Sequence, residues 1–205
     1  MDKITEKLAH LNPKFVNEIA QHASTLQVPQ DTEILREGQY VKVIPVVLEG
    51  LIKVFTRYED KELLLYYIQP KESCIMSFSA NRNNEPSKIF AIAEEDSEIL
   101  LLPGQKLQEW QQQYTDVHQL FFQQYNLRYA ELLSTIQHLL FDKMDKRIYD
   151  YLKEKVRLTQ KNPIKITHRK IADELGTARE VISRMMKKLE NEGKVSQNQE
   201  GIKVL

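Results

Sequence analysis

Cysteine is almost absent from this 205-residue sequence, and its scarcity excludes several kinds of site. The single thiol, Cys74, cannot form a disulfide within the chain. It also cannot by itself hold a Cys-type zinc ion or an iron–sulfur cluster, since each needs several thiolates from one chain. The sequence predicts no metal site, because its scattered histidines lack the spacing of metal ligands and suit surface or packing roles: His10, His22, His118, His138 and His168.

Long apolar runs are also missing. No stretch of about 18 uncharged apolar residues occurs, so the chain is not expected to span a membrane. The first residues, "MDKITEKLAHL", are interrupted by charges and do not resemble a signal peptide. With 41% apolar residues and few glycines and prolines, the composition is that of a globular cytoplasmic protein of one or two domains.

The chain has no net charge, but its charges are divided unevenly. Residues 143–205 carry 16 Lys and Arg against 9 Asp and Glu, whereas residues 1–142 carry 13 against 20. A compact basic unit attached to an acidic body indicates that one end of the molecule meets a polyanion. Charge alone leaves open the alternative of a solvated charged surface.

Short β-rich runs fill residues 25–102, after an amphipathic opening helix that places Ile4, Leu8, Leu11, Phe15 and Ile19 near helical spacing. Turn-forming residues bound these runs, among them Gly38, Gly50, Pro70 and the pairs Glu59–Asp60 and Asn83–Asn84. Many short strands at this spacing favour a β-roll or sandwich. No helical segment alternates with the strands, so a parallel βαβ sheet is not expected.

A long helix is predicted over residues 116–142. Apolar residues recur there at intervals of 3, 4, 3, 4 and 3, which is a heptad seam: Phe122, Tyr125, Tyr129, Leu132, Ile136 and Leu139. Flanking Phe121, Leu133 and Leu140 widen the apolar surface, so one face could cover the β-unit while the other meets a second copy. We predict a homodimer. The alternative is a single helix buried only against its own domain.

The stretch "ITHRKIADELGTAREVISRMMKKLENEGKV", residues 166–195, breaks one helix and starts another at once. The first helix runs from Thr167 to Leu175, and Gly176 supplies a left-handed turn. Residues 177–180 then fit a capping box, in which Thr177 would cap the Glu180 amide. This pattern predicts a helix-turn-helix, and the two β-prone pieces of "KVSQNQEGIKVL" predict a wing after it.

The second helix of the pair carries four outward residues that suit base edges in the DNA major groove: Arg179, Glu180, Ser183 and Arg184. Arginine can pair with guanine O6 and N7, and glutamate can accept from cytosine N4. The Glu180 carboxylate can contact a base or a neighbouring arginine, or it can complete the capping box. Six further residues suit phosphate contact, with solvated helix charges as the alternative: Thr167, His168, Arg169, Lys170, Lys187 and Lys188.

The order of β-roll, long helix and helix-turn-helix resembles the Crp/Fnr family of bacterial transcription regulators. Besides residues 166–195, the resemblance rests on "ILREGQ" and "VLEGLIKVF", with Gly38 and Gly50 at β-roll turns. It implies an α+β fold with a sensor β-roll over 1–115, a dimerisation helix over 116–142 and a winged helix-turn-helix over 143–205. The family's base-reading roles fall on Arg179, Glu180 and Arg184.

In such a dimer, two recognition helices would enter successive major grooves about 34 Å apart, so we expect a pseudo-palindromic target in double-stranded DNA. RNA polymerase is a candidate further partner by the same resemblance.

The resemblance fails at the phosphate-binding loop of the nucleotide-binding members. Where they carry Gly-Glu and Arg-Ser, this sequence has Ile75–Met76 and Pro86–Ser87, which leaves a cyclic phosphate without its cationic partner. Cyclic AMP is therefore not expected as a ligand, and no cofactor is identified. The segment predicts either a pocket for a different small effector or a filled core, with these candidate lining residues: Cys74, Ile75, Met76, Ser77, Ser87 and Lys88.

Two other classes of function remain to be weighed. A ligand-binding signalling module could use its basic C-terminal unit against a protein or membrane partner, although the glycine turn and "AREVISR" argue against it. For an enzyme, the sequence offers no nucleophile–base pair, no metal-ligand spacing and no phosphate-cradling glycine loop. We therefore predict a non-enzyme with no catalytic residues.

Overall fold

The computed structural model describes residues 3–9, 11–58 and 61–205, with their side chains except those of Lys3, Lys61, His138 and Leu139. The predictions made for His10, for the Glu59–Asp60 turn and for the side chains of His138 and Leu139 lie outside these described residues. The chain divides into two compact units. The first contains Met1–Phe55 and Tyr66–Leu132, and the second contains Thr56–Leu65 and Leu133–Leu205.

Two sheets build the β-roll. The first has the strand order β1-β7-β3 and the second β2-β6-β4-β5, and the pairs with a described register are antiparallel. Their strands are β1 (Ser24–Val28), β2 (Glu33–Leu35), β3 (Val43–Glu49), β4 (Ile52–Tyr58), β5 (Lys61–Ile68), β6 (Phe90–Ala93) and β7 (Ser97–Pro103). The helices that precede, interrupt and follow them are α1 (Lys3–Lys7), α2 (Pro13–His22), α3 (Ile75–Asn83), α4 (Gly104–Gln113) and α5 (Thr115–Phe141).

The prediction of one opening helix is wrong, since α1 and α2 are separate. The Asn12 side chain accepts a hydrogen bond from the Lys14 amide at 2.9 Å and so caps a new helix. Pro13 follows in the first turn, where its missing N–H costs nothing. The β-rich region also holds a helix that periodicity did not indicate, because α3 is buried on more than one side and lacks an amphipathic pattern.

Aromatic and aliphatic side chains from both ends of the first unit form its core. Phe15 meets Trp110 edge to face with ring centroids 5.5 Å apart, and Phe78 stacks on Phe121 at 4.1 Å. The helix α5 buries a stripe with heptad-like spacing, consisting of Val117, Phe121, Gln124 and Arg128. One face of α5 therefore covers the β-roll, as the sequence predicted.

The second unit is a winged helix-turn-helix, which confirms the predicted fold class. Its elements are α6 (Met144–Thr159), α7 (His168–Glu174), α8 (Arg179–Asn191), β8 (Val195–Asn198) and β9 (Gly201–Val204). Residues 56–65 belong to this unit, where Leu63 bridges Leu175 and Leu64 packs against the core. Buried side chains from all three helices and both wing strands form that core: Ile148, Tyr151, Leu152, Ile164, Ile171, Ala172, Ile182, Met186, Leu189, Val195 and Ile202.

Candidate nucleic-acid interface and β-roll pocket

The turn between α7 and α8 sets the position of α8. Gly176 has a φ of +65°, and the next amide, that of Thr177, donates to the Ala172 carbonyl at 2.9 Å to close α7. The predicted capping box is wrong, because α8 is capped at Ala178 without a side-chain hydrogen bond. Thr177 is used in ending the first helix and lies one residue too early to cap the second.

The outer face of α8 is open at its N-terminal end. Ile182, Met186 and Leu189 point into the core, which turns Arg179, Glu180 and Arg184 toward solvent. Within the described part of the chain, these three side chains make no hydrogen bond and no ion pair. Since the capping box does not form, the Glu180 carboxylate is free to meet a base or a neighbouring arginine.

The charged residues predicted for phosphate on α7 already have partners. Thr167 caps this helix by accepting from the Lys170 amide at 3.1 Å. Arg169 lies 3.2 Å from the Asp173 carboxylate and Lys170 lies 3.8 Å from that of Glu174. The Arg169–Asp173 pair is exposed and weak, so it would yield readily to a phosphate, whereas Lys170 reaches the buried carboxylate of Glu174 from the surface.

The two lysines on α8 differ from each other. Lys188 donates to Asp145 and lies 3.7 Å from Glu192, and the hydrogen bond to Asp145 raises the pKa of the Lys188 ammonium. Lys187 is exposed, with no partner among the described residues. Of the two lysines, Lys187 could therefore bind a phosphate without first breaking an ion pair with a described residue.

His168, also predicted for phosphate contact, has protein partners at both ring nitrogens. Its Nδ1 lies 3.0 Å from the Ser183 hydroxyl, and its Nε2 lies 2.7 Å from Oε1 of Gln197. The ring thus joins α7 to α8 and to β8. Ser183 is half-buried beside it, unlike the exposed Arg179, Glu180 and Arg184.

A buried polar cluster anchors α7, and sequence reasoning missed it. The Tyr151 hydroxyl donates to Glu174 at 2.6 Å, and the Lys155 ammonium lies 3.3 Å from the same carboxylate oxygen. The guanidinium of Arg147 donates to the Leu175 carbonyl at 3.0 Å, at the end of the helix. The partners lie 19 to 28 residues apart, so no local pattern could reveal them.

Several apolar side chains of α5 are exposed in the described chain. Phe122 is 67% exposed, Tyr129 66% and Ile136 50%. Further exposed apolar residues on α5 are Tyr125, Leu127, Leu133, Leu140 and Phe141. Leu132 of the predicted seam is only partly exposed, whereas its neighbour Leu133 is more open to solvent.

The predicted effector pocket is small, and its six candidates do not converge. Cys74 and Ser77 line a mainly apolar space in the β-roll of about 20 Å³, which suffices for one water molecule. Ser87 is buried elsewhere and donates to the Ile89 carbonyl at 2.9 Å. Lys88 is exposed, 3.9 Å from a surface glutamate. Ile75 and Met76 lie in the first turn of α3, outside the lining of this space.

A buried arginine lies beside the β-roll interior. Arg128 donates to the Tyr67 carbonyl at 2.9 Å and to Glu131 at 2.6 Å, and it also pairs with Glu72. Burial opposes its charge, but the two carboxylates raise its pKa above the usual value. Sequence reasoning missed this residue, although a charge in register with Val117 and Phe121 on the buried stripe was an available signal.

The aromatic ring of Tyr66 faces this cation, with the guanidinium carbon of Arg128 4.6 Å from the ring centroid. Burial is the main cause that raises the pKa of the Tyr66 hydroxyl well above its usual value.

Two protein-family models match the chain. Residues 25–114 match the cyclic nucleotide-binding domain, and residues 146–205 match the Crp-like helix-turn-helix domain. Among curated protein sequences, none matches the chain. No helix in the described residues is both long and apolar enough to cross a membrane.

Solved structures of similar fold cover nearly the whole chain. A transcriptional regulator of the Crp/Fnr family from Eubacterium rectale has a TM-score of 0.84 at 24% identity, covering 97% of this chain and 92% of its own. The c-di-GMP-responsive global regulator CLP of Xanthomonas campestris has a TM-score of 0.81 at 16% identity, with 94% and 99% covered. A Crp/Fnr-family regulator of Thermus thermophilus, TTHA1359, has a TM-score of 0.72 at 22% identity, with 89% and 93% covered.

Proposed function

Because this chain belongs to the Crp/Fnr family of transcription regulators, we propose that it acts as a homodimer on a pseudo-palindromic site in double-stranded DNA. The observation that carries the proposal is the open end of α8. Arg179, Glu180 and Arg184 are exposed there without partners in the described chain, on a helix whose other side is anchored in the core. A major groove admits one such helix, and its N-terminal residues reach the base edges.

We assign base reading to Arg179, Glu180, Ser183 and Arg184. The two arginines can each donate a bidentate pair to guanine O6 and N7, and the glutamate can accept from cytosine N4. Five residues are proposed to contact phosphates: Thr167, Arg169, Lys170, Lys187 and Lys188. The surface ion pairs of Arg169 and Lys188 would exchange for phosphate oxygens, and the exposed ammonium of Lys170 would turn to a phosphate from its 3.8 Å contact with Glu174. For His168, the partners at both ring nitrogens favour a role in holding Ser183.

The proposed dimer forms along α5. Phe122, Tyr129, Leu133, Ile136 and Leu140 share one exposed face by helical spacing, and a two-fold axis beside them would cover both copies of this face at once. In that arrangement the two α8 helices would read half-sites about 34 Å apart. The domain limits implied by the sequence, with residues 116–142 as the dimerisation helix, are retained as part of this proposal.

We further propose that cyclic AMP is not the effector of this chain. Positions 75–76 and 86–87 provide no cation for a cyclic phosphate, and the space beside Cys74 has room for about one water molecule. Any regulation through the β-roll would have to use other chemistry. We propose that the protein works in the cytoplasm as a non-enzymatic regulator, with RNA polymerase as a further partner.

The test is selection of bound sequences from random duplex DNA, followed by affinity measurements against salt. We expect a palindromic winner, and we expect Arg179→Ala to lose about 1–3 kcal/mol on it while changing little on random DNA. Arg36→Ala is the matched control, because it removes an exposed arginine from the β-roll. Equal losses on both DNAs would refute the base-reading role, and the absence of salt-dependent DNA binding would instead favour a signalling module with another partner.

A further inference from the structure

A chain of hydrogen bonds links the wing to the recognition helix through His168. Gln197 on β8 donates to the Glu190 carboxylate at the end of α8, through its backbone N–H at 3.0 Å and its side-chain Nε2 at 3.4 Å. The other end of that side chain, Oε1, lies 2.7 Å from Nε2 of His168. Nδ1 of His168 then lies 3.0 Å from the Ser183 hydroxyl.

The direction of the first bond follows from the chemistry of Glu190. An ionised carboxylate only accepts hydrogen bonds, so the Gln197 amide must turn its NH₂ group toward Glu190. The reverse orientation would place an amide oxygen against a carboxylate oxygen. Oε1 of Gln197 is therefore the atom that faces His168, and it too can only accept.

The remaining directions follow from the Gln197 oxygen. His168 must donate to Oε1 through Nε2–H, and a neutral imidazole carries one N–H only. In the neutral ring, Nδ1 is then a bare lone pair and can only accept. Ser183 supplies the proton, so its single O–H points at the histidine and is not available elsewhere.

We propose that this relay makes Ser183 a reader that only accepts hydrogen bonds, which selects an exocyclic amino group, adenine N6 or cytosine N4, in the major groove. The inference rests on the proposed DNA-binding function and assigns one specificity to one of its residues. A free serine hydroxyl serves amino and keto groups alike, because it both donates and accepts. With the O–H held by His168, only oxygen lone pairs remain for DNA, and keto oxygens find no donor.

The first measurement is the tautomer of His168 in the full-length protein, by ¹⁵N–¹H correlation spectra of the imidazole rings. The His168→Ala spectrum assigns the signal. We expect a neutral ring protonated at Nε2. A ring protonated at Nδ1, or at both nitrogens, would overturn the inference, because Ser183 would then accept from the histidine and keep its own proton for DNA.

The second measurement removes single groups from DNA. On the selected palindrome, the base pair contacted by Ser183 is the one at which Ser183→Ala relaxes discrimination. Its amino group is then replaced by hydrogen, with purine in place of adenine or 2-pyrimidinone in place of cytosine. A separate duplex lacks the keto oxygen of the same pair, with 2-aminopurine in place of guanine or 5-methyl-2-pyrimidinone in place of thymine.

Loss of the amino group should weaken binding of the unaltered protein about 2- to 12-fold beyond its effect on Ser183→Ala, which is the worth of one hydrogen bond. Loss of the keto oxygen should affect both proteins equally. His168→Ala frees the hydroxyl, so it should show a smaller amino effect and a new keto effect. Gln197→Leu removes the acceptor for the Nε2–H of His168, so it should also reduce the amino effect and produce a keto effect.

The outcomes separate this inference from the proposal beneath it. A keto effect without an amino effect in the unaltered protein, or no base pair at which Ser183→Ala changes discrimination, would overturn the acceptor role and leave DNA regulation standing. Failure to select any sequence, with unselective binding throughout, would instead overturn the proposed function.

Discussion

The exposed face of α5 gives a quantitative prediction about the oligomeric state. An aromatic side chain presents on the order of 200 Å², and Tyr129 is 66% exposed, which leaves about 130 Å² open to solvent. At about 25 cal/mol per Å², covering that area stabilises an interface by about 3 kcal/mol per protomer. A two-fold dimer contains the residue twice, which sets an upper limit of about 6 kcal/mol for the pair.

We expect Tyr129→Ser to lose about half of that limit, because an interface covers each side chain incompletely and serine retains some contact. A loss of about 3 kcal/mol corresponds to a Kd for dimerisation about 150-fold higher. Sedimentation equilibrium over a range of protein concentrations measures this constant directly. The matched control is Tyr40→Ser, since Tyr40 is 58% exposed and lies between β2 and β3 of the β-roll.

Tyr129→Ser should raise the Kd for dimerisation, whereas Tyr40→Ser should leave it unchanged. Equal dimerisation constants for Tyr129→Ser and the unaltered protein would show that this face of α5 is not the interface. A monomer at every concentration for the unaltered protein would refute the dimer itself. Circular dichroism melts of both variants check that neither substitution unfolds the chain.

Three further predictions concern stability. Glu174→Ala leaves the buried Lys155 ammonium without its carboxylate, and we expect the free energy of unfolding of the C-terminal unit in urea to fall by about 3–5 kcal/mol. The control Glu200→Ala removes an exposed carboxylate and should change this free energy little. Arg128→Ala should destabilise the β-roll unit by about 1–3 kcal/mol in the same assay, because it removes charged hydrogen bonds to two partly exposed carboxylates, and retention of full stability would show that these bonds contribute nothing. Gly201→Ala places a Cβ 2.3 Å from a carbonyl oxygen at a φ of +134°, so thermal melts should show lower stability, and an unchanged Tm would contradict this geometry.

The helix-turn-helix could be predicted because its signals are local. Gly176 ends one helix, and the apolar residues on either side repeat at helical spacing, so a window of 30 residues contains the whole pattern. The α5 seam is local in the same sense, and the spacing of its aromatic residues is enough to indicate two apolar faces. Only the boundary of α8 was misjudged, because Thr177 could serve either helix and the closing of α7 uses it.

Packing between distant segments decided the interior of the β-roll and the polar contacts of Arg128 and His168. Whether the segment around Cys74 lines a pocket or fills a core depends on how closely two sheets approach, which no spacing in the sequence records. Arg128 pairs with Glu72 across 56 residues, and His168 meets Ser183 and Gln197 across 15 and 29. Such contacts form only when separate elements fold against one another.

The sequence by itself determined that α8 exposes Arg179, Glu180 and Arg184, because helical periodicity assigns each side chain to a face. It left the hydrogen-bonding role of Ser183 undetermined. A hydroxyl donates or accepts according to its neighbours, and those neighbours come from α7 and the wing. Only the tertiary structure places those neighbours, because the hydrogen-bonded contacts from Glu190 to His168 join three separate elements.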